Sequence, residues 1–169
     1  MNKINEILPR LNEEGIFFDW VTFARRKVVE NLSLTAPNDL YISVFGREKW
    51  PADREPMTRK EGMNTFGFVF SGKGYIIRGD ERYELTKNSY FLFPFEQNIT
   101  FGTDTDDPWE YLYFDIGGIN QNWVLDAAGF GEKLVMHDDA GEIKRLATEL
   151  YRSALENGRC AFKTTGLLY

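Results

Sequence analysis

Two residue types that carry much of protein chemistry are nearly missing from this chain, which holds one cysteine, Cys160, and one histidine, His137. A lone thiol excludes any disulfide within the chain. A lone imidazole excludes the multi-histidine sets by which borderline metal ions are usually held, and it leaves a serine or cysteine nucleophile a single candidate base. Hydrophobic runs are short, none approaching the ~20 residues that a membrane-crossing helix needs. Positive charge is also scarce: 20 Lys and Arg against 26 Asp and Glu give a net charge of −6. That balance lacks the cation excess needed to neutralise a phosphate backbone, so the chain alone is not expected to grip nucleic acid. With one cysteine and no signal-type apolar stretch at its start, it reads as cytoplasmic.

Aromatic residues, by contrast, are plentiful. Phe, Tyr and Trp number 14, 8 and 4 in 169 residues, which implies a thick core or a ring-lined cavity in a chain long enough for one core. From residue 64 to residue 116 short runs alternate between apolar and polar at period two, separated by turn residues: Thr65 to Phe70, Gly74 to Arg78, Arg82 to Leu85, Tyr90 to Phe93, Asn98 to Phe101 and Trp109 to Ile116. Closely spaced strands of this kind predict an antiparallel barrel or sandwich. Leu40 to Phe45 predicts an earlier strand, and Gly72, Gly74 and Gly79 are placed where reversals favour positive φ.

Helical spacing flanks the strands. Ile16, Phe17, Trp20, Phe23, Ala24, Lys27 and Val28 fall on one stripe, with Arg25-Arg26-Lys27 read as its solvated face. Beyond Gly117-Gly118 the period changes from two to 3.6. Ile119 to Ala128 predicts a helix stopped by Gly129, and Ala140 to Glu156 a second one, capped by Asp138 or Asp139 and ended by Gly158. The final segment, Cys160 to Tyr169, starts another helical pattern and ends without a stop signal, so the natural chain is expected to continue. Three segments result: an N-terminal arm over 1–36, a barrel over 37–118 and packing helices over 119–169.

The stretch from Phe68 to Gly118 carries a series of features in order: Ser71, Gly72 and Gly74, then Tyr83 and Leu85, Leu92 with Phe93-Pro94, Pro108-Trp109, and Tyr111 to Phe114. In that order and spacing it resembles the sensor domain of the AraC family of transcription regulators. The resemblance implies a fold that is mainly β with helices: a cupin-like double-stranded β-helix, or jelly-roll barrel, followed by C-terminal helices that pair two subunits. It further implies a small-molecule effector, and a helix-turn-helix half, absent here, through which alone DNA would be bound. Two positions depart from the family's habit: Asn88 stands where Gly is frequent, a change the left-handed tolerance of Asn accommodates, and Asn98 stands where His is frequent, so a ligand contact there would differ.

Candidate site residues follow from strand alternation and from the resemblance. Alternation puts Trp109, Tyr111 and Tyr113 on one face of a strand and Leu112, Phe114 and Ile116 on the other. The second face is purely apolar and suits packing. Trp109 and Tyr111, which match the family's ligand-contacting places, can either stack on a sugar-like or aromatic ligand or serve as plain core rings. Arg59 stands near the place of an Arg that closes on the ligand in the family, and also within a charged stretch where it would simply be solvated. Thr100, Ser43 and Asn98 complete the ligand set by strand position. On the helix after the barrel, Ile143, Leu146, Leu150 and Tyr151 are the expected homodimer surface, with core packing the alternative.

No catalytic residue, cofactor or metal is assigned. Asp104, Asp106 and Asp107 lack the glycine and distal Glu of a calcium loop; His137 reads as a loop or helix-start residue, and Cys160 as an inert thiol. The resulting expectation is a non-enzymatic, sugar-sensing and dimer-forming domain of an AraC-type regulator without membrane contact, against the alternative of a metal-free cupin isomerase or epimerase.

Overall fold

The computed structural model describes residues 41–60, 62–131 and 133–157. The helix expected around Ile16 to Val28, the segment beyond Gly158 and Cys160 lie outside the described residues. The chain order is β1 (Tyr41–Lys49), β2 (Met57–Lys60), β3 (Asn64–Ser71), β4 (Gly74–Arg78), β5 (Glu81–Leu85), β6 (Ser89–Phe93), β7 (Asn98–Thr103), β8 (Glu110–Gly117), α1 (Gln121–Ala127), β9 (Val135–His137) and α2 (Glu142–Asn157).

These strands form a five-stranded sheet in the order β1-β8-β3-β6-β9 and a four-stranded sheet in the order β2-β7-β4-β5, antiparallel throughout. Neighbours in a sheet are mostly distant in sequence, as in a jelly roll, where the chain crosses repeatedly between two facing sheets. The fold is the expected cupin-like barrel with helices outside it. Two elements escape the sequence reading. β2 is charged and mostly exposed, and pairs only with β7. β9 is three residues long and joins the five-stranded sheet beside β6, so the segment after residue 118, expected to be wholly helical, returns one strand to the barrel.

Alternation along each strand divides the side chains into an inner and an outer core. Trp50, Val69, Ile76, Leu85, Phe91, Phe93, Ile99, Phe101, Trp109 and Tyr111 pack between the sheets, together with Leu134. Phe45, Phe68, Leu112, Phe114 and Ile116 face outward and are covered by Ala147 and Leu150 of α2. Burying one such leucine stabilises by roughly 1.5–3 kcal/mol, so the α2 contact is a substantial part of the outer core.

Local geometry follows the sequence closely. Asp138 accepts a hydrogen bond from the Lys144 backbone N–H in the first turn of α2, at 2.8 Å. Gly129, two residues past α1, has φ +90°. Gly72 and Gly79 have the positive φ expected of the reversals; Gly74 instead belongs to β4, where the ring of Trp109 occupies the space a Cβ would need. Asn88 adopts φ +69° without being glycine.

The helix residues expected at a homodimer surface pack against the barrel. Leu150 is buried, and Ile143 and Tyr151 pack half-buried against the same outer core, Tyr151 meeting Phe45 edge-on at 5.7 Å. Leu146 is half-buried too. The 3.6-residue stripe thus serves as the chain's own seam between helix and sheet, the core-packing alternative given above, and Ile143, Leu146 and Tyr151 keep part of their surface exposed.

Candidate ligand-binding site

The inner face of β8 is a ladder of four groups, Trp109 just before the strand and then Tyr111, Tyr113 and Asp115. Its lower end is closed. Trp109 has no exposed surface and is packed among Trp50 (5.6 Å between ring centroids), Phe91 (6.0 Å), Phe101 (6.4 Å) and Tyr111 (4.4 Å). Its backbone N–H donates to Thr103 Oγ1 at 3.0 Å, while its indole Nε1 finds no acceptor among the described residues. An unmet buried donor costs stability.

One rung higher, Tyr111 is almost wholly buried and donates its hydroxyl to Glu48 Oε2 at 3.1 Å. The same oxygen accepts from Trp50 Nε1 at 2.9 Å and has Arg54 Nη1 at 3.8 Å. Arg54 in turn lies over the Trp50 ring at 4.0 Å. Burial and the neighbouring Glu48 carboxylate hold the Tyr111 phenol well above the usual range, so this hydroxyl stays protonated as a donor.

The next rung places Tyr113 across from Gly46 of β1, where a Cβ would sit 2.7 Å from the phenol oxygen; glycine lets the ring lie against the backbone. Gly67 serves Phe91 in the same way. At the far end Asp115 accepts from Thr65 Oγ1 at 2.6 Å. Burial pushes its carboxyl up, while the Thr65 hydrogen bond and the charge of Arg59 pull it back. Arg59, on β2, places its guanidinium 5.7 Å from the Phe101 ring centroid, and its charge reaches both Tyr111 and Asp115. One end of the barrel is therefore sealed by rings, and the other carries a carboxylate, a phenol, a threonine and an arginine.

Of the residues singled out from sequence, Trp109 and Tyr111 turn into this interior, and Arg59 lies beside Phe101 while remaining exposed. Thr100 and Asn98 do not turn inward. On β7 the inner positions are Ile99 and Phe101, both buried, so alternation turns Thr100 outward to meet Thr58 Oγ1 at 2.8 Å and leaves Asn98 exposed. Ser43 lies in β1 where the register with β8 shifts. Glu48, Thr65 and Asp115 were missed. The alternation that selected Trp109, Tyr111 and Tyr113 leads two residues on to Asp115, and that step was the available signal; Glu48 and Thr65 need the pairings of β1 and β3 with β8, which sequence alone does not supply.

His137 belongs to β9, with Nδ1 2.8 Å from Asp139 Oδ1 and Nε2 3.1 Å from the Lys87 carbonyl. Asp104 Oδ1 accepts from the backbone N–H groups of Asp106 and Asp107 in a local turn. Among the described residues no three His, Cys, Asp or Glu side chains gather where they could share a metal ion.

A family model described as "AraC-like ligand binding domain" matches residues 64–165, well over half of the chain. The chain belongs to the AraC-like ligand-binding domains. Among curated proteins none matches it in sequence. Similar solved structures include a putative ethanolamine utilization protein, EutQ, from Salmonella typhimurium, 17% identical, covering 46% of this chain and 58% of that one, with a TM-score of 0.39. A cupin superfamily protein from Desulfitobacterium hafniense is 12% identical over 50% of this chain and 84% of that one, with a TM-score of 0.39. Salicylate 1,2-dioxygenase from Pseudoaminobacter salicylatoxidans is 20% identical over 60% of this chain and 24% of that one, with a TM-score of 0.38. The AraC-like domain thus spans just over half the length of the first of these. The expectation of a non-enzyme is withdrawn: the similar structures include proteins named as enzymes, salicylate 1,2-dioxygenase and hydroxypropylphosphonic acid epoxidase. No helix among the described residues is long and apolar enough to cross a membrane.

Proposed function

We propose that this AraC-like domain is the effector-sensing part of a cytoplasmic transcription regulator, taking a small sugar-like molecule at the polar end of its barrel and passing the binding event to a DNA-binding half. The observation that carries this reading is the grouping of Tyr113, Asp115, Thr65 and Arg59 at one end of an aromatic-lined interior. Rings with a few converging polar groups are the composition that recognises a compact, hydroxylated ligand. Membership in the AraC-like ligand-binding domains supports a small-molecule effector. Regulation then requires the ligand to favour one arrangement of the full protein over another, which it does by as much as its affinities for the two differ. In a homodimeric regulator the pairing surface lies away from the buried stripe of α2, which the barrel already uses.

Thermal denaturation against a panel of mono- and disaccharides tests the binding step. A ligand present at about 100 times its Kd stabilises by roughly 2.7 kcal/mol, a plainly measurable shift. A chimera joining this chain to the DNA-binding half of another AraC-type regulator tests the second step, with the same sugar expected to change reporter output. Stabilisation without any reporter response would refute the regulatory part, and the absence of stabilisation by every sugar would refute the ligand class.

A further inference from the structure

We propose that Asp115 is the residue by which the site selects its ligand: it accepts a hydrogen bond from a hydroxyl of an uncharged molecule and turns away the corresponding acid. The proposal rests on the ligand-sensing reading above and names the chemical class and the discriminating group.

Three observations single Asp115 out from its neighbours on the ladder. Trp109 is sealed behind Trp50, Phe91 and Phe101, so a ligand would have to displace rings to reach it. Glu48 is buried, and one of its oxygens is already shared by Trp50, Tyr111 and the nearby Arg54. Asp115 is only half-buried, and Thr65 is its one hydrogen-bond donor among the described residues. A carboxylate offers about four acceptor positions, so the one donor from Thr65 leaves most of its capacity unused. Thr65 fixes the carboxylate from β3, giving the remaining lone pairs a set direction rather than a mobile one.

Charge supplies the discrimination. Asp115 presents its negative charge at the polar end, whereas that of Glu48 is answered by Arg54, and partial burial strengthens the repulsion of a second anion by Asp115. Arg59 lies near enough to Asp115 to be felt electrostatically and is itself already engaged, so less of its charge is left to draw in a ligand carboxylate and less of the Asp115 charge is left for an ammonium group. A neutral hydroxyl meets no repulsion. It also gains a charge-assisted hydrogen bond, the stronger kind.

The experiment measures binding by titration calorimetry for D-galactose, D-galacturonate and D-galactosamine, and for the matching glucose series, with wild type and two variants. Asp115→Asn keeps an oxygen to accept from Thr65 but loses the charge, whereas Thr65→Val keeps the charge and loses the fixing hydroxyl. The expected result is that a neutral sugar binds wild type and its uronate does not, that Asp115→Asn weakens the neutral sugar by about ten- to one-hundred-fold, and that Thr65→Val still rejects the uronate. A neutral sugar bound equally well by Asp115→Asn, a wild type that prefers the uronate or the amino sugar, or a Thr65→Val variant that accepts the uronate would overturn the assignment while leaving the sugar-sensing reading intact. Failure of both sugar series to bind wild type would instead remove the sugar class itself. Thr65→Val stands on its own should Asp115→Asn fold poorly.

Discussion

Gly67 shows how narrowly single positions are specified here. A Cβ at that position would collide with the Phe91 ring, and Phe91 is fully buried against Phe93, Trp109 and Tyr111. Gly67→Ala should therefore destabilise the domain by about 1–3 kcal/mol, the usual cost of overfilling a packed core, read as a lowered urea midpoint at unchanged slope. His137 gives a second residue-scale expectation. Its two ring nitrogens face the Asp139 carboxylate and the Lys87 carbonyl, both acceptors, so only the imidazolium can donate to both. Its pKa is raised from 6.5, chiefly by the Asp139 hydrogen bond. A folded pKa above the unfolded one contributes stability that is complete below about 6.5 and disappears as pH rises through the folded value. The difference in Tm between wild type and His137→Ala should accordingly be largest near pH 5 and vanish near pH 9; a gap that widens with pH would contradict this pairing.

At the scale of elements, legibility tracked periodicity. β3 through β8 were readable because each buries one face, so period two is written into the residues. The outward Leu112, Phe114 and Ile116 and the inward Trp109 and Tyr111 followed directly from it. β2 and β9 were not readable, since four charged or polar-flanked residues and three residues respectively carry no period, and both exist because a neighbouring strand has an open edge to pair. The same logic explains the site's omissions. Alternation assigns faces within a strand, but which strands meet is decided by pairing, and Glu48 and Thr65 reach the site only through β1 and β3. Helix α2 was legible in extent and not in purpose, because an apolar stripe looks the same whether it covers the chain's own sheet or a second subunit. Two substitutions separate these uses. Asp138→Ala should cost about 1 kcal/mol by removing the acceptor for the Lys144 N–H. Leu150→Ala should cost about 2–5 kcal/mol as a buried leucine truncation. If the stripe belongs to the chain's own core, the loss from Leu150→Ala will be the same at every protein concentration; a loss that shrinks on dilution would restore α2 to the dimer surface.

At the scale of the molecule, the two larger cores among the described residues differ in character, beside a small third cluster of Leu92, Leu125 and Phe130. The outer one, between the five-stranded sheet and α2, is apolar and continuous. The inner one grades from a sealed aromatic end at Trp109 to a polar end at Asp115. The sensing proposed for this domain requires that gradient, since a barrel filled uniformly with rings would have nowhere to place a hydroxyl. Backbone amide chemical-shift mapping during titration with a neutral sugar that raises the Tm locates the contact directly. The expected outcome is a set of perturbed amides concentrated at Arg59, Thr65 and Tyr111 to Asp115, with Asn98, Thr100 and the exposed face of α2 unmoved. Perturbations centred on those outer residues instead, with the interior silent, would contradict the account.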